Sequence, residues 1–95
     1  MHTTFVDFGN TLVELIEPLG DKSPIARFVE KNPKGGVHHV CYEVDDLDQL
    51  LKQLADAGIN PLGPPKIGAH GNPVVFLHPR DCQGILTEFE QVKTK

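Results

Sequence analysis

Residues 37–58 read VHHVCYEVDDLDQLLKQLADAG, and this stretch decides the fold. Val37, Val40, Tyr42 and Val44 are β-branched or aromatic and predict a strand over Val37–Val44. The pattern then changes period. Asp46 is a good helix N-cap, and Gln49 three residues on completes a capping-box-like pair. Leu47, Leu50, Leu51 and Leu54 fall on one apolar stripe at helical spacing, and Gly58 suits the left-handed residue just beyond a helix end. A strand leads straight into an amphipathic helix.

Downstream, Pro61 to Pro65 is a stiff connection, and Pro65–Ala69 reads as an edge strand, where proline is tolerated. His70-Gly71-Asn72-Pro73 is a turn, Val74–His78 a strand, Pro79–Gly84 a loop and Ile85–Gln91 the last strand. Val92–Lys95 is expected to fray. Upstream, Thr3–Phe8 and Thr11–Glu17 alternate polar and apolar residues around Gly9-Asn10 and predict a hairpin. Ser23-Pro24 reads as N-cap and first residue of a short helix carrying Ile25, Phe28 and Val29, ended by Asn32-Pro33 and Gly35-Gly36. The order is ββα followed by βαβββ, an α+β chain. Residues 37–91 are expected to form a complete module, and residues 1–36 to be the end of a similar module without its opening βαβ.

The chain has 95 residues, which fits one domain. Hydrophobic residues make up 39% and charged residues 23%, as in ordinary globular proteins. A net charge of −4 with no basic cluster argues against nucleic acid. No apolar run approaches the roughly 20 residues that cross a bilayer, so no membrane span is expected. Met1 to Phe8 has neither a basic nor an apolar leader region, so no targeting segment is expected in this chain. Cys41 and Cys82 are far apart in sequence, which disfavours a disulfide scaffold or zinc knuckle.

Strand alternation sorts the residues able to do chemistry. His39, Cys41 and Glu43 share one face of Val37–Val44 and His38 the other, so at most one of the two histidines joins a given site. Glu14 lies between Leu12 and Ile16 on one face, and Glu88 lies with Leu86 and Glu90 on another. A carboxylate among apolar neighbours needs a partner, because a lone buried charge is expensive. A divalent metal ion is one such partner, and one imidazole with two carboxylates suits cobalt, manganese, zinc or nickel. The plainer alternative is that each Glu lies on a solvated face. His70 sits in a glycine-flanked turn of the kind that lines pockets, whereas His78 before Pro79 reads as structural. Asp45, Asp46 and Asp48 read as a helix N-terminus and not as a catalytic pair. There is no nucleophile-elbow, zinc-protease or Walker motif.

Several segments, in this order and spacing, resemble the methylmalonyl-CoA epimerases. They are Gly9-Asn10-Thr11 with Glu14 to Gly20; Asp21 to Ala26; Gly35-Gly36-Val37-His38-His39-Val40; Lys66 to Gly71 with Phe76-Leu77-His78-Pro79; and Gly84 to Phe89. The loop Pro79-Arg80-Asp81-Cys82 is similar to that of the animal mitochondrial members. The family belongs to the vicinal oxygen chelate superfamily, in which paired βαβββ modules curve around a metal ion. The resemblance implies that Glu14, His39 and Glu88 are metal ligands, that cobalt is the ion expected first, and that Glu88 also serves as an acid or base. It places the remaining ligand, a histidine on the opening strand of the first module, upstream of Met1; His2 precedes a different strand and does not replace it. The family's second acid–base carboxylate falls on no residue of this sequence.

The implied reaction interconverts the two C2 epimers of methylmalonyl-CoA through an enolate, in propionyl-CoA and branched-chain degradation. The implied location is the mitochondrial matrix. The expected activity of this chain by itself is weak or nil, and its exposed sheet edges favour a homodimer or strand-swapped assembly. Two other readings stand beside this one. A glyoxalase-like enzyme or dioxygenase of the same superfamily is disfavoured because the dioxygenases use two His and one carboxylate. A non-catalytic remnant of the fold is the other.

Overall fold

The structure is a computed structural model and describes residues 2–92. The chain divides into two compact units, Met1–Gly36 and Val37–Lys95.

The first unit holds strands β1 (His2–Asp7) and β2 (Leu12–Glu17) and helix α1 (Ala26–Lys31). The strands pair antiparallel from His2 opposite Glu17 to Asp7 opposite Leu12. The Asp7 carboxylate accepts from Gly9 N–H at 2.7 Å, and Phe8 N–H donates to the Thr11 carbonyl at 2.9 Å. Gly9 has φ of 89°, a value glycine adopts without strain. The helix begins later than the Ser23-Pro24 signal predicts. Ser23 N–H donates to Gly20 and Ala26 N–H to Ser23, so the chain makes successive turns before the first helical residue. Ile25 occupies the N-cap position without a side-chain cap, and the Ser23 hydroxyl is buried without a hydrogen-bond partner. Burial of Ile25, 4% exposed, outweighs the local capping signal.

The second unit holds β3 (His39–Val44), α2 (Leu47–Asp56), β4 (Lys66–Ile67), β5 (Pro73–Leu77), a 3₁₀ turn (Pro79–Asp81) and β6 (Leu86–Gln91). Its four strands lie in the order β3-β6-β5-β4, with β3 and β6 parallel and the others antiparallel. β4 is an edge strand, as its proline neighbour requires, and is shorter than expected. Val92 is held by an N–H bond to Val44 and does not fray; the rest of the tail lies outside the described residues.

Helix α2 follows its sequence signals closely. Asp46 accepts from Gln49 N–H at 3.1 Å, and Gly58 has φ of 78°. Leu47 is buried, and Leu50, Leu51 and Leu54 are half-buried while their neighbours are exposed. Burying one such side chain contributes roughly 1.5–3 kcal/mol. Leu47 N–H, one of the donors a helix start leaves over, is accepted by the Gln91 side chain at 2.9 Å. That bond fastens α2 to the end of β6, on the face that also carries Thr87 and Phe89. The opposite face carries His39, Cys41, Glu88, Glu90, Phe76 and Val74.

Candidate metal and acid–base site

On that second face, β3 and β6 run parallel with His39 opposite Leu86 and Cys41 opposite Glu88. Side chains lean along a strand, which lets residues two positions out of register meet. His39 Nε2 stands 3.3 Å from Glu88 Oε1, with both side chains largely withdrawn from solvent, 18% and 16% exposed. Phe76, opposite Glu88 on β5, places its ring 6.2 Å from that of His39. An aromatic ring thus lies beside the pair.

His38 departs from expectation. Strand pairing begins at His39, so the alternation that would send the two rings to opposite faces does not govern His38. Its Nδ1 lies 2.9 Å from His39 Nδ1, one ring donating to the other, and the ring planes are near perpendicular at 88°. Both histidines therefore belong to one cluster. Adjacency in sequence was the available signal, and a regular strand pattern masked it.

Glu14 lies mid-β2 opposite Phe5 in the first unit, half-buried, with Leu12 exposed and Ile16 half-buried on its own face. His70 is exposed in the β4–β5 turn, where Gly71 takes φ of 82° and Gly68 N–H donates to the Asn72 carbonyl. His2 faces across the hairpin to Glu17, 3.0 Å away and exposed. His78 is structural: its Nδ1 accepts from Arg80 N–H at 3.1 Å and caps the 3₁₀ turn.

Glu90, two residues beyond Glu88, is 7% exposed and accepts from the Asn72 amide at 3.0 Å. Sequence reading marked its face but not this partner. The bond ties the His70-containing turn to β6.

The His39–Glu88 pair is a suitable fragment of a divalent-metal site: an imidazole nitrogen and a carboxylate oxygen converge on one point. Among the described residues no group of three or more His, Cys, Asp or Glu side chains gathers to hold an ion. Among them, too, no helix is long and apolar enough to cross a membrane.

Comparison with known proteins gives the family and the fold. Residues 1–76 match the family described as glyoxalase/bleomycin resistance protein/dioxygenase superfamily. The chain is 57% identical over 90 residues to the ethylmalonyl-CoA/methylmalonyl-CoA epimerase of Cereibacter sphaeroides, covering 93% of this chain and 67% of that protein. It is 53% identical over 88 residues to the mitochondrial methylmalonyl-CoA epimerase of Homo sapiens, covering 92% of this chain and 50% of that one. A variant of the Streptomyces coelicolor methylmalonyl-CoA epimerase, in complex with 2-nitronate-propionyl-CoA, superposes with a TM-score of 0.77 at 30% identity, covering 98% of this chain and 69% of its own. The chain thus spans between half and two thirds of the length of these curated relatives.

Proposed function

Since the chain belongs to the glyoxalase/bleomycin resistance protein/dioxygenase superfamily and aligns there with methylmalonyl-CoA epimerases, we propose that it supplies part of an enzyme interconverting the (2R) and (2S) epimers of methylmalonyl-CoA. The observation that carries the reading is the half-buried His39–Glu88 pair at 3.3 Å, on the strands where the family's resemblance expects metal ligands.

The chemistry follows from the substrate. A thioester α-proton is weakly acidic, and its removal leaves an enolate whose negative charge must be met. A bound divalent ion, with cobalt proposed first and manganese, nickel or zinc as others the donor set accepts, would polarise the thioester carbonyl as a Lewis acid. His39 and Glu88 would hold it, and Glu14 is proposed as a further donor on the family resemblance alone. Inversion at C2 needs a base on one side of the planar enolate and an acid on the other. Glu88 serves as one of these, its carboxylate lying beside His39 and the Phe76 ring. His70, exposed on its turn, is proposed to line the substrate pocket.

The relative from Homo sapiens is named mitochondrial while another close relative is bacterial, and a mitochondrial matrix location is proposed for this chain on the former. β3 and β4 are the outer strands of the four-stranded sheet among the described residues, and such edge strands support a homodimer or strand-swapped assembly.

The test is hydrogen exchange at C2 of methylmalonyl-CoA in deuterated water, followed by NMR. Any exchange, expected to be slow for this chain by itself, is expected only on addition of Co²⁺ and is expected to stop with a chelator. Exchange that persists in the chelator would sink the metal-assisted reading. Metal binding without any exchange would confine the chain to a binding role.

A further inference from the structure

The chemistry proposed above leaves the His38 ring unused, although it touches the pair directly. His38 Nδ1, His39 Nδ1, His39 Nε2 and Glu88 Oε1 form a continuous chain, with a 2.9 Å contact at one end and a 3.3 Å contact at the other. Both nitrogens of His39 are thereby engaged, one by an imidazole and one by a carboxylate. Both histidines are half-buried, so their rings are held by neighbours and not averaged by solvent.

A bond between two Nδ1 atoms contains a single proton, so one ring donates and the other presents its lone pair. A neutral His39 that gives its Nε2 lone pair to a cation carries its proton on Nδ1. That proton then points at His38 Nδ1, which must accept it. His38 is consequently neutral with its own proton on Nε2. An imidazole bound to metal commonly gives its second N–H to a carboxylate or backbone carbonyl, which sets its tautomer and orientation. Here a second imidazole is in place to do so.

We propose that His38 is a positioning residue: it accepts the Nδ1–H of His39, sets the plane and tautomer of that ring, and turns Nε2 toward the Glu88 carboxylate and a divalent cation bound there. The inference rests on the reading of His39 and Glu88 as metal donors. His38 can play this part because it precedes the paired strand.

The experiment titrates Zn²⁺ into the full chain by calorimetry, for the unsubstituted protein, His38→Ala and His38→Asn. Asparagine places an amide oxygen near the position of Nδ1 and restores an acceptor. The Zn²⁺ dissociation constant is expected to rise about 10–100-fold in His38→Ala and to recover largely in His38→Asn. Long-range ¹H–¹⁵N spectra of the zinc-loaded protein are expected to show His39 protonated on Nδ1 and His38 on Nε2. Equal zinc affinity in His38→Ala and the unsubstituted chain overturns the proposal, as does His38→Asn binding no better than His38→Ala, or a zinc-loaded His39 protonated on Nε2. An unsubstituted chain that binds no zinc overturns the metal reading instead. The ring spectra of the metal-free protein then decide His38 separately: a proton shared between the two Nδ1 atoms keeps the positioning bond, and its absence removes it.

Discussion

His39 and Glu88 meet at 3.3 Å although their backbones are two positions out of register on parallel strands, His39 being opposite Leu86 and Cys41 opposite Glu88. The contact exists only because β3 and β6, 49 residues apart at these two positions, lie side by side. If the pair holds a metal, removing one donor should act on binding before anything else. Glu88→Gln and His39→Ala are each expected to weaken Co²⁺ binding by at least about tenfold in calorimetry. Glu88→Gln is also expected to lower C2 exchange by about 10²–10⁴-fold, the usual contribution of a positioned acid or base. Full metal-dependent exchange in Glu88→Gln would exclude the role assigned to it.

Metal binding to the folded chain should raise its stability. At a free Co²⁺ concentration of 100 times the dissociation constant, the gain is about 2.7 kcal/mol, read as a rise in melting temperature that a chelator reverses. The same addition to Glu88→Gln should give a smaller rise. A rise of equal size in both proteins would place the ion elsewhere.

The two serine- or aspartate-led helix starts should respond oppositely to truncation. Asp46 accepts a hydrogen bond from Gln49 N–H, and Asp46→Ala should cost about 0.5–2 kcal/mol in urea unfolding. The Ser23 hydroxyl is buried without a partner, so Ser23→Ala should be near neutral or slightly stabilising. A cost near 1 kcal/mol for Ser23→Ala would restore it as a cap.

Gly68 is required by space. A Cβ there would lie 2.9 Å and 3.3 Å from the methyl groups of Val74, which is itself 5% exposed and stiff at its first torsion. Gly68→Ala is expected to destabilise the chain by about 1–3 kcal/mol, and Gly68→Ala with Val74→Ala to recover part of that loss. Equal loss in single and double variants would mean the clash is not the cause.

Asn72 and Glu90 should be coupled in stability. Asn72→Ala leaves the buried Glu90 carboxylate without its amide donor, at a cost of about 1–3 kcal/mol. Asn72→Asp should cost more, since it sets a second carboxylate beside the first. Unfolding curves in urea check both, and unchanged midpoints would show that the bond is not made in solution.

How much of this was legible in the sequence depends on the range of each signal. Helix α2 was readable because its cap, stripe and terminating glycine act within a few residues. The hairpin turn at Gly9 and the strand faces of His39 and Glu88 were readable for the same reason. The start of α1 was not, because burial of Ile25 overrode the Ser23-Pro24 signal. The His38–His39 bond was hidden because alternation applies only inside a paired strand, and pairing begins two residues later than the apolar pattern does. The Asn72–Glu90 bond spans 18 residues and left no local mark.

By itself, then, the sequence determined the order of the strands and helices and the bounds of α2, which side of each strand carries His39 and Glu88, and the family they resemble, since periodicity, capping and motif order are properties of neighbouring residues. Tertiary structure alone decided that β3 pairs with β6 and not with its nearer neighbours, that the His39 and Glu88 side chains therefore converge, and that His38 joins them. Strand order and side-chain meeting are set by long-range burial and hydrogen bonding, which no local spacing encodes.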